Sequence, residues 1–142
     1  MDKRAIPNEL LLGEVAAVLH EGREAVIIPT GNSMRPFIRG GVDRVVLSPR
    51  RDAAVGDAVL VRIGERYLLH RIIAREGDAL TLMGDGNLVG TESCTVADVL
   101  GTVTEILRHD GRRRSPGKAR LWRALKPIRR YLLGIYRRLA RV

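Results

Sequence analysis

The sequence predicts a mainly β fold: an antiparallel coiled sheet or partial barrel, with a short N-terminal helix and a basic amphipathic C-terminal helix. Six short segments rich in β-branched residues follow one another, separated by glycine and charged turns. No helix-length segment separates these strands, which argues against a parallel α/β sheet. The length of 142 residues suits a single modest core.

The elements can be assigned in order along the chain. Asn8 is an N-cap candidate, and apolar residues at helical spacing from Leu11 to Leu19 predict a helix over residues 9–21, ended by Gly22. The predicted strands cover residues 25–29, 43–48, 57–63, 66–73, 79–83 and 99–106. Gly64 and Glu65 lie between two apolar runs and predict a tight hairpin.

Charge divides the chain into two parts. Residues 1–107 carry 12 basic and 15 acidic residues, whereas residues 108–142 carry 13 basic residues and a single acid, Asp110. We therefore predict a β domain over 1–107, followed by a basic linker and helix over 108–142. We expect the basic charge to bind a partner of the C-terminal part.

The C-terminal part has a helical apolar stripe. Apolar side chains recur at alternating spacings of four and three, on Leu121, Leu125, Ile128, Leu132, Ile135, Leu139 and Val142. Basic residues fill most of the remainder, and Trp122, Tyr131 and Tyr136 are side chains that favour a bilayer interface. One interpretation is an in-plane anchor on an anionic membrane surface. The other is a helix that docks on the β domain or on a second copy of itself.

Ser33, in the stretch TGNSMRP, is the first candidate for chemistry. A serine hydroxyl becomes a good nucleophile only when a base takes its proton. Gly31 lets the backbone approach closely, and a tight turn can direct the amide of Ser33 at a developing oxyanion. The alternative is an ordinary turn serine.

His70 is the candidate base. Alternation along the strand RYLLHRII places it on the same face as Leu68 and Ile72. Burial there disfavours the charged imidazolium, and a neutral imidazole is what a general base needs. The alternative is a core histidine whose ring nitrogens bond to the backbone.

Asp85, in MGDGN, is the candidate for orienting His70, because a carboxylate can fix the imidazole tautomer. An Asp-Gly turn between strands is the alternative. Residues 5–117 contain no lysine, which excludes a Ser–Lys dyad in the β domain. The sequence shows no phosphate-binding loop, no metal cluster and only one cysteine, Cys94, so we expect no cofactor and no metal.

These motifs, taken together, resemble those of the type I signal peptidases and their SOS-repressor-like relatives. The segments that carry the resemblance lie between Val26 and Ile106; they are GNSMRP, VGDAVLV, LHRII, MGDGN and VLGTVTEI. In that superfamily the G-x-S-M serine is the nucleophile, and the branch with histidine followed by arginine matches His70 and Arg71. The resemblance implies a signal-peptidase-like fold and a Ser–His or Ser–His–Asp serine peptidase.

The resemblance also assigns the remaining site residues. It places Gly31, Asn32 and Met34 at the oxyanion and binding positions, with backbone N–H groups as the main donors. Asp85 matches the Gly-Asp motif of the Ser–His branch. A second acid is usual about six positions later; this chain has Thr91 there and Glu92 one step beyond, which leaves Asp85 and Glu92 as alternatives for the third catalytic member.

Three functions are compatible with the sequence. The first is a serine endopeptidase that removes a leader or signal-like peptide from a precursor, with Ser33 and His70 as its catalytic pair. The second is a peptide-binding module of the same fold without activity; the third is nucleic-acid binding through the basic C-terminal part, which no recognisable module supports. Because the N-terminus has neither a signal peptide nor an apolar span, we expect a cytoplasmic location, with peripheral membrane attachment if the C-terminal helix is an anchor.

Overall fold

A curled, mainly antiparallel β-sheet forms half of a barrel and carries one short α-helix in the part of the chain that the structure describes. The structure is a computed structural model that describes residues 5–6, 12–29, 34, 37–38, 40–86 and 90–117. The predicted mainly β, antiparallel fold is confirmed at this level. The predicted C-terminal helix lies outside the described residues, as does the predicted N-cap Asn8.

Helix α1 spans Leu12–His20. The strands are β1 Ala5–Ile6, β2 Ala25–Ile27, β3 Arg44–Ser48, β4 Ala58–Ile63, β5 Arg66–Glu76, β6 Ala79–Met83, β7 Glu92–Thr95, β8 Val99–Leu107 and β9 Arg113–Arg114. Their order in the sheet is β1-β2-β3-β8-β4-β5-β6-β7, and β9 pairs with β8. Only the β1–β2 pair is parallel among these described strands.

All six predicted strands are present, and three short strands were not predicted. The β4–β5 hairpin has the expected turn, in which Gly64 adopts a φ of 62°, a left-handed conformation that suits glycine. The unpredicted strands are β1, β7 and β9, the last of which lies within the predicted linker.

Apolar side chains form two buried clusters. The helix-side core joins α1 to the sheet, through residues that include Val15, Leu19, Leu47, Ala58, Leu60, Val103 and Ile106. The second core consists of Ala53, Val59, Val61, Ile72, Leu80, Leu82, Cys94 and Val99. Neighbouring residues of β4 and β5 belong to different cores because side chains alternate along a strand. Residues 70 and 71 therefore lie on opposite faces of the sheet.

Helix α1 packs closely on β8 at Gly101. A Cβ atom at this position would lie 2.6 Å from the carbonyl oxygen of Ser48 and 3.1 Å from Cδ1 of Leu19. The missing side chain thus allows the helix to approach the sheet, and this contact closes the helix-side core.

Among the described residues, no helix is long and apolar enough to cross a membrane.

Candidate active site

Strand β5 changes its partners at His70. Its residues 66–71 pair with β4, whereas pairing with β6 begins only at Arg71, which lies opposite Met83. Among the described strands, none pairs with residues 66–70 on the β6 side. Among the described strands, the result is a half-open edge of β5 over residues 66–70, a geometry to which another extended chain can add.

The imidazole of His70 is buried and bonded to Glu92. His70 is 5% exposed, and its Nδ1 lies 3.0 Å from Oε2 of Glu92, the first residue of β7. The strand registers explain this contact, since Ile72 pairs with Leu82 and Leu82 pairs with Glu92. His70 shares the face of Ile72, so a long carboxylate side chain on β7 can reach it across β6.

This contact sets the chemistry of the ring. A carboxylate accepts hydrogen bonds, so the neutral imidazole carries its proton on Nδ1 and donates it to Glu92. The other nitrogen, Nε2, then has the lone pair that can take a proton from a hydroxyl group. When it does, the adjacent Glu92 charge stabilises the imidazolium that forms. The Glu92 carboxylate is 24% exposed and the ring is nearly inaccessible, an arrangement suited to a held general base.

Asp85 binds the neighbouring residue, Arg71. The Arg71 guanidinium donates through Nε to Oδ1 at 2.8 Å and through Nη2 to Oδ2 at 2.8 Å, which makes the pair bidentate. Both side chains are almost completely buried, at 0% for Arg71 and 2% for Asp85. Successive side chains of β5 point to opposite faces of the sheet, which explains why the two acids bind different residues. Arg71 contacts Asp85 on one face, and His70 contacts Glu92 on the other.

The described residues of the loop that contains Ser33 are held by one backbone hydrogen bond and by packing. Gly41 N–H donates to the carbonyl of Pro29 at 2.7 Å, which brings together the two ends of this loop between β2 and β3. Met34 is buried in the helix-side core, and the ring of Phe37 lies 5.1 Å from the Arg71 guanidinium carbon. The described part of the loop therefore packs beside the residue that follows His70.

The three residues with the most direct predicted roles in this loop are not described. Gly31, Asn32 and Ser33 lie outside the described residues, so their predicted roles as oxyanion donors and nucleophile stay predictions. The predicted binding role of Met34 also stays a prediction, although its burial fits a residue that anchors the loop.

Cys94, two residues after Glu92 on β7, also carries a nucleophilic group. Burial, and secondarily the negative charge of Asp98, raise the pKa of the Cys94 thiol. Its side chain packs in the second core, and the raised pKa keeps it a neutral thiol at ordinary pH. Cys94 is therefore unsuited to act as the nucleophile. Within the described ranges, no three His, Cys, Asp or Glu side chains are placed to hold a metal ion.

The sequence predicted the face of the sheet on which His70 lies but did not sort the two acids, Asp85 and Glu92, between the two faces. His70 lies on the face of Leu68 and Ile72, as expected, with the second core beside it. The contacts of Arg71 with Asp85 and with the ring of Phe37 were not foreseen. Counting alternate faces from His70 would have placed Arg71 with the helix-side core, where a buried guanidinium needs a carboxylate.

No protein-family model matches the chain. A search of curated proteins finds none that is similar to it.

Proposed function

We propose that this chain is a serine endopeptidase that cleaves a leader or signal-like peptide from a precursor, with Ser33 as nucleophile and His70 as general base. The observation that carries the proposal is the bond between Nδ1 of buried His70 and the carboxylate of Glu92. A base held by a third group is what activation of a serine requires. The order of motifs from GNSMRP to VLGTVTEI, which resembles that of the signal peptidases, supports the same assignment.

The reaction follows from these groups. Nε2 of His70 takes the hydroxyl proton of Ser33 as Oγ attacks the substrate carbonyl, and Glu92 stabilises the resulting imidazolium. Backbone N–H groups of the loop around Gly31 and Asn32 bind the oxyanion. The imidazolium then protonates the leaving amine. A water molecule, deprotonated by the same ring, attacks the acyl-enzyme, and the imidazolium returns that proton to Oγ of Ser33 as the acid product leaves.

The half-open edge of β5 suits an extended substrate. A peptide that pairs with residues 66–70 would add a strand beside β5. This pairing would end at His70, because β6 occupies the same side of β5 from Arg71 onward. Main-chain hydrogen bonds of this kind recognise an extended backbone without regard to most side chains. We therefore expect specificity to come mainly from the side chain just ahead of the cut, and we expect a small residue there.

Substitution of the catalytic pair tests the proposal. Ser33→Ala and His70→Ala should each remove nearly all cleavage of a panel of leader peptides, read by mass spectrometry. The double variant should be little worse than either single variant, because residues that act as one unit are strongly non-additive. Peptides that bind equally well to the unsubstituted chain and to Ser33→Ala, with no cleavage by either, would instead indicate the peptide-binding module.

We also propose that the basic C-terminal segment attaches the enzyme to an anionic membrane surface. The support is its sequence: residues 118–142 contain nine basic residues and no acidic one, arranged around an apolar stripe. Each basic residue near such a surface contributes roughly 1 kcal/mol. Attachment would hold the enzyme where precursors with apolar leader segments collect.

A further inference from the structure

The buried guanidinium of Arg71 is held by more than its ion pair with Asp85. Nη1 donates to the carbonyl of Gly56 at 2.7 Å and to the carbonyl of Gly117 at 2.9 Å. Nη2 also donates to the carbonyl of Pro116, at 3.4 Å. Two of these three carbonyls belong to the linker that follows β9, so the linker is bound to the interior of the β domain.

These carbonyls matter because Arg71 is completely buried. A guanidinium has five N–H donors, and each one that is buried without an acceptor is costly. The Asp85 carboxylate balances the charge of Arg71 and accepts hydrogen bonds from its Nε and Nη2. The donors on Nη1 therefore depend on Gly56 and Gly117.

Gly117 reaches Arg71 in a conformation that few other residues adopt. Its φ is 59°, and its N–H donates to the hydroxyl of Ser115 at 3.2 Å, which closes a short turn. The left-handed region is unstrained for glycine and strained for β-branched residues. A side chain at position 117 therefore disturbs the turn that brings the linker carbonyl to Arg71.

Arg71 fixes β5 at the point where His70 sits. Pairing with β6 ends at Arg71, so neither His70 nor the residues of β5 before it have a partner in β6. On the other side of Arg71, Ile72 N–H donates to the carbonyl of Asp57 at 2.9 Å, and Gly56 N–H donates to the carbonyl of Ile72 at 2.8 Å. The Arg71 side chain joins this anchored part of β5 to the linker, directly beside His70.

We propose that the linker residues 115–117 position the catalytic base. The carbonyl groups of Pro116 and Gly117 hold Arg71, and Arg71 holds the backbone of β5 so that the imidazole of His70 meets both Glu92 and the serine. This inference rests on the proposed function of His70. Pro116 and Gly117 are positioning residues, since they act on the reaction only through Arg71.

The test compares, in the full chain, valine substitutions at two glycines that have the same φ. Gly117→Val disturbs the linker, and Gly77→Val is the control, because Gly77 also has a φ of 59° and a Cβ there meets nothing within 4 Å. We expect Gly117→Val to lower kcat about 100-fold relative to the control with little change in KM, since small misplacements of catalytic groups cost this much. The NMR resonances of the His70 ring should shift in the same variant. Gly117→Asn should recover most of the activity, because asparagine tolerates positive φ.

Several results would overturn the proposal. These are a kcat for Gly117→Val equal to that of Gly77→Val, unmoved His70 resonances, or an asparagine variant as slow as the valine variant. If Gly117→Val does not fold, Gly117→Ala gives the same comparison with a smaller side chain. If the unsubstituted chain cleaves no peptide, the proposed function fails, and the His70 resonances alone then decide whether the linker positions the ring.

Discussion

Glu92 reaches His70 across an intervening strand: the edge strand β7 supplies the carboxylate, β5 supplies the imidazole, and the two bonded atoms are 3.0 Å apart. The register Ile72–Leu82–Glu92 puts both side chains on the face of the second core. The apolar neighbours exclude water from one side of the ring, and the carboxylate holds its Nδ1. This pairing makes His70 a candidate base.

Glu92→Gln should lower turnover by about 100-fold or more while the fold survives, because the neutral amide cannot stabilise the imidazolium. Glu105→Gln is a matched control, since Glu105 is also a half-buried carboxylate in an ion pair, with Arg113. Steady-state cleavage of one peptide by both variants, with circular dichroism spectra, makes the comparison. Equal turnover for Glu92→Gln and Glu105→Gln would remove Glu92 from the mechanism.

Asp85→Asn should lower the free energy of unfolding, besides any loss of turnover that follows from the disturbed Arg71. It leaves the Arg71 charge buried without its carboxylate, and breaking a buried pair in this way costs about 3–5 kcal/mol. The surface pair Arg113–Glu105, at 3.5 Å and with Arg113 68% exposed, is the control, for which Glu105→Gln should cost about 0–1 kcal/mol. Urea unfolding measures both free energies. A role for Asp85 in orienting His70, as the sequence predicted, gives a different result: turnover is lost and the free energy of unfolding is unchanged.

Much of this site could be predicted from sequence, and what could not depends on pairing between distant strands. Apolar alternation located β5 and the face of His70, because the side-chain period of a strand is local information. The choice between Asp85 and Glu92 depends on the β5–β6–β7 register, which includes a shift between Ile72 and Ala74. No local pattern encodes that shift.

The short strands were missed for a related reason. β9 has only two residues, both arginines, and its pairing with β8 gives it an extended conformation that its composition does not favour. β7 reads ESCT, with only Cys94 clearly buried. Tertiary pairing therefore decides the structure of both segments. The linker contacts of Arg71 were missed because they join residues 45 and 46 positions apart.

The Cys94 thiol should make stability depend on pH in alkaline solution. Burial, and secondarily Asp98, raise the pKa of Cys94, so the folded chain holds the thiol proton more tightly than the unfolded chain. This contribution is fully present below the ordinary thiol value of 9.0 and is lost as the pH rises from there through the raised value. The difference in unfolding free energy between the unsubstituted chain and Cys94→Ala should therefore fall above pH 9. A difference that rises there would contradict the raised pKa.

The C-terminal segment should determine membrane attachment. Full-length protein should sediment with anionic vesicles at low salt and be released as salt screens the charges. A chain that ends at Gly117 should stay in solution and remain folded, because it keeps both linker carbonyls that bind Arg71. Sedimentation with neutral and anionic vesicles is the measurement. Unfolding of the shortened chain, or full-length protein that ignores anionic vesicles, would favour the interpretation in which the segment packs on protein.

The role of Ser33 is tested most directly by cleavage of a diverse library of leader-like peptides, compared by mass spectrometry between the unsubstituted full chain and Ser33→Ala. A peptidase with Ser33 as its nucleophile should give one set of cut sites that share a small residue ahead of the bond and disappear in the Ser33→Ala digest. Identical digests from the two proteins, whether cleaved or intact, would contradict the assignment of Ser33 as the nucleophile of a peptidase.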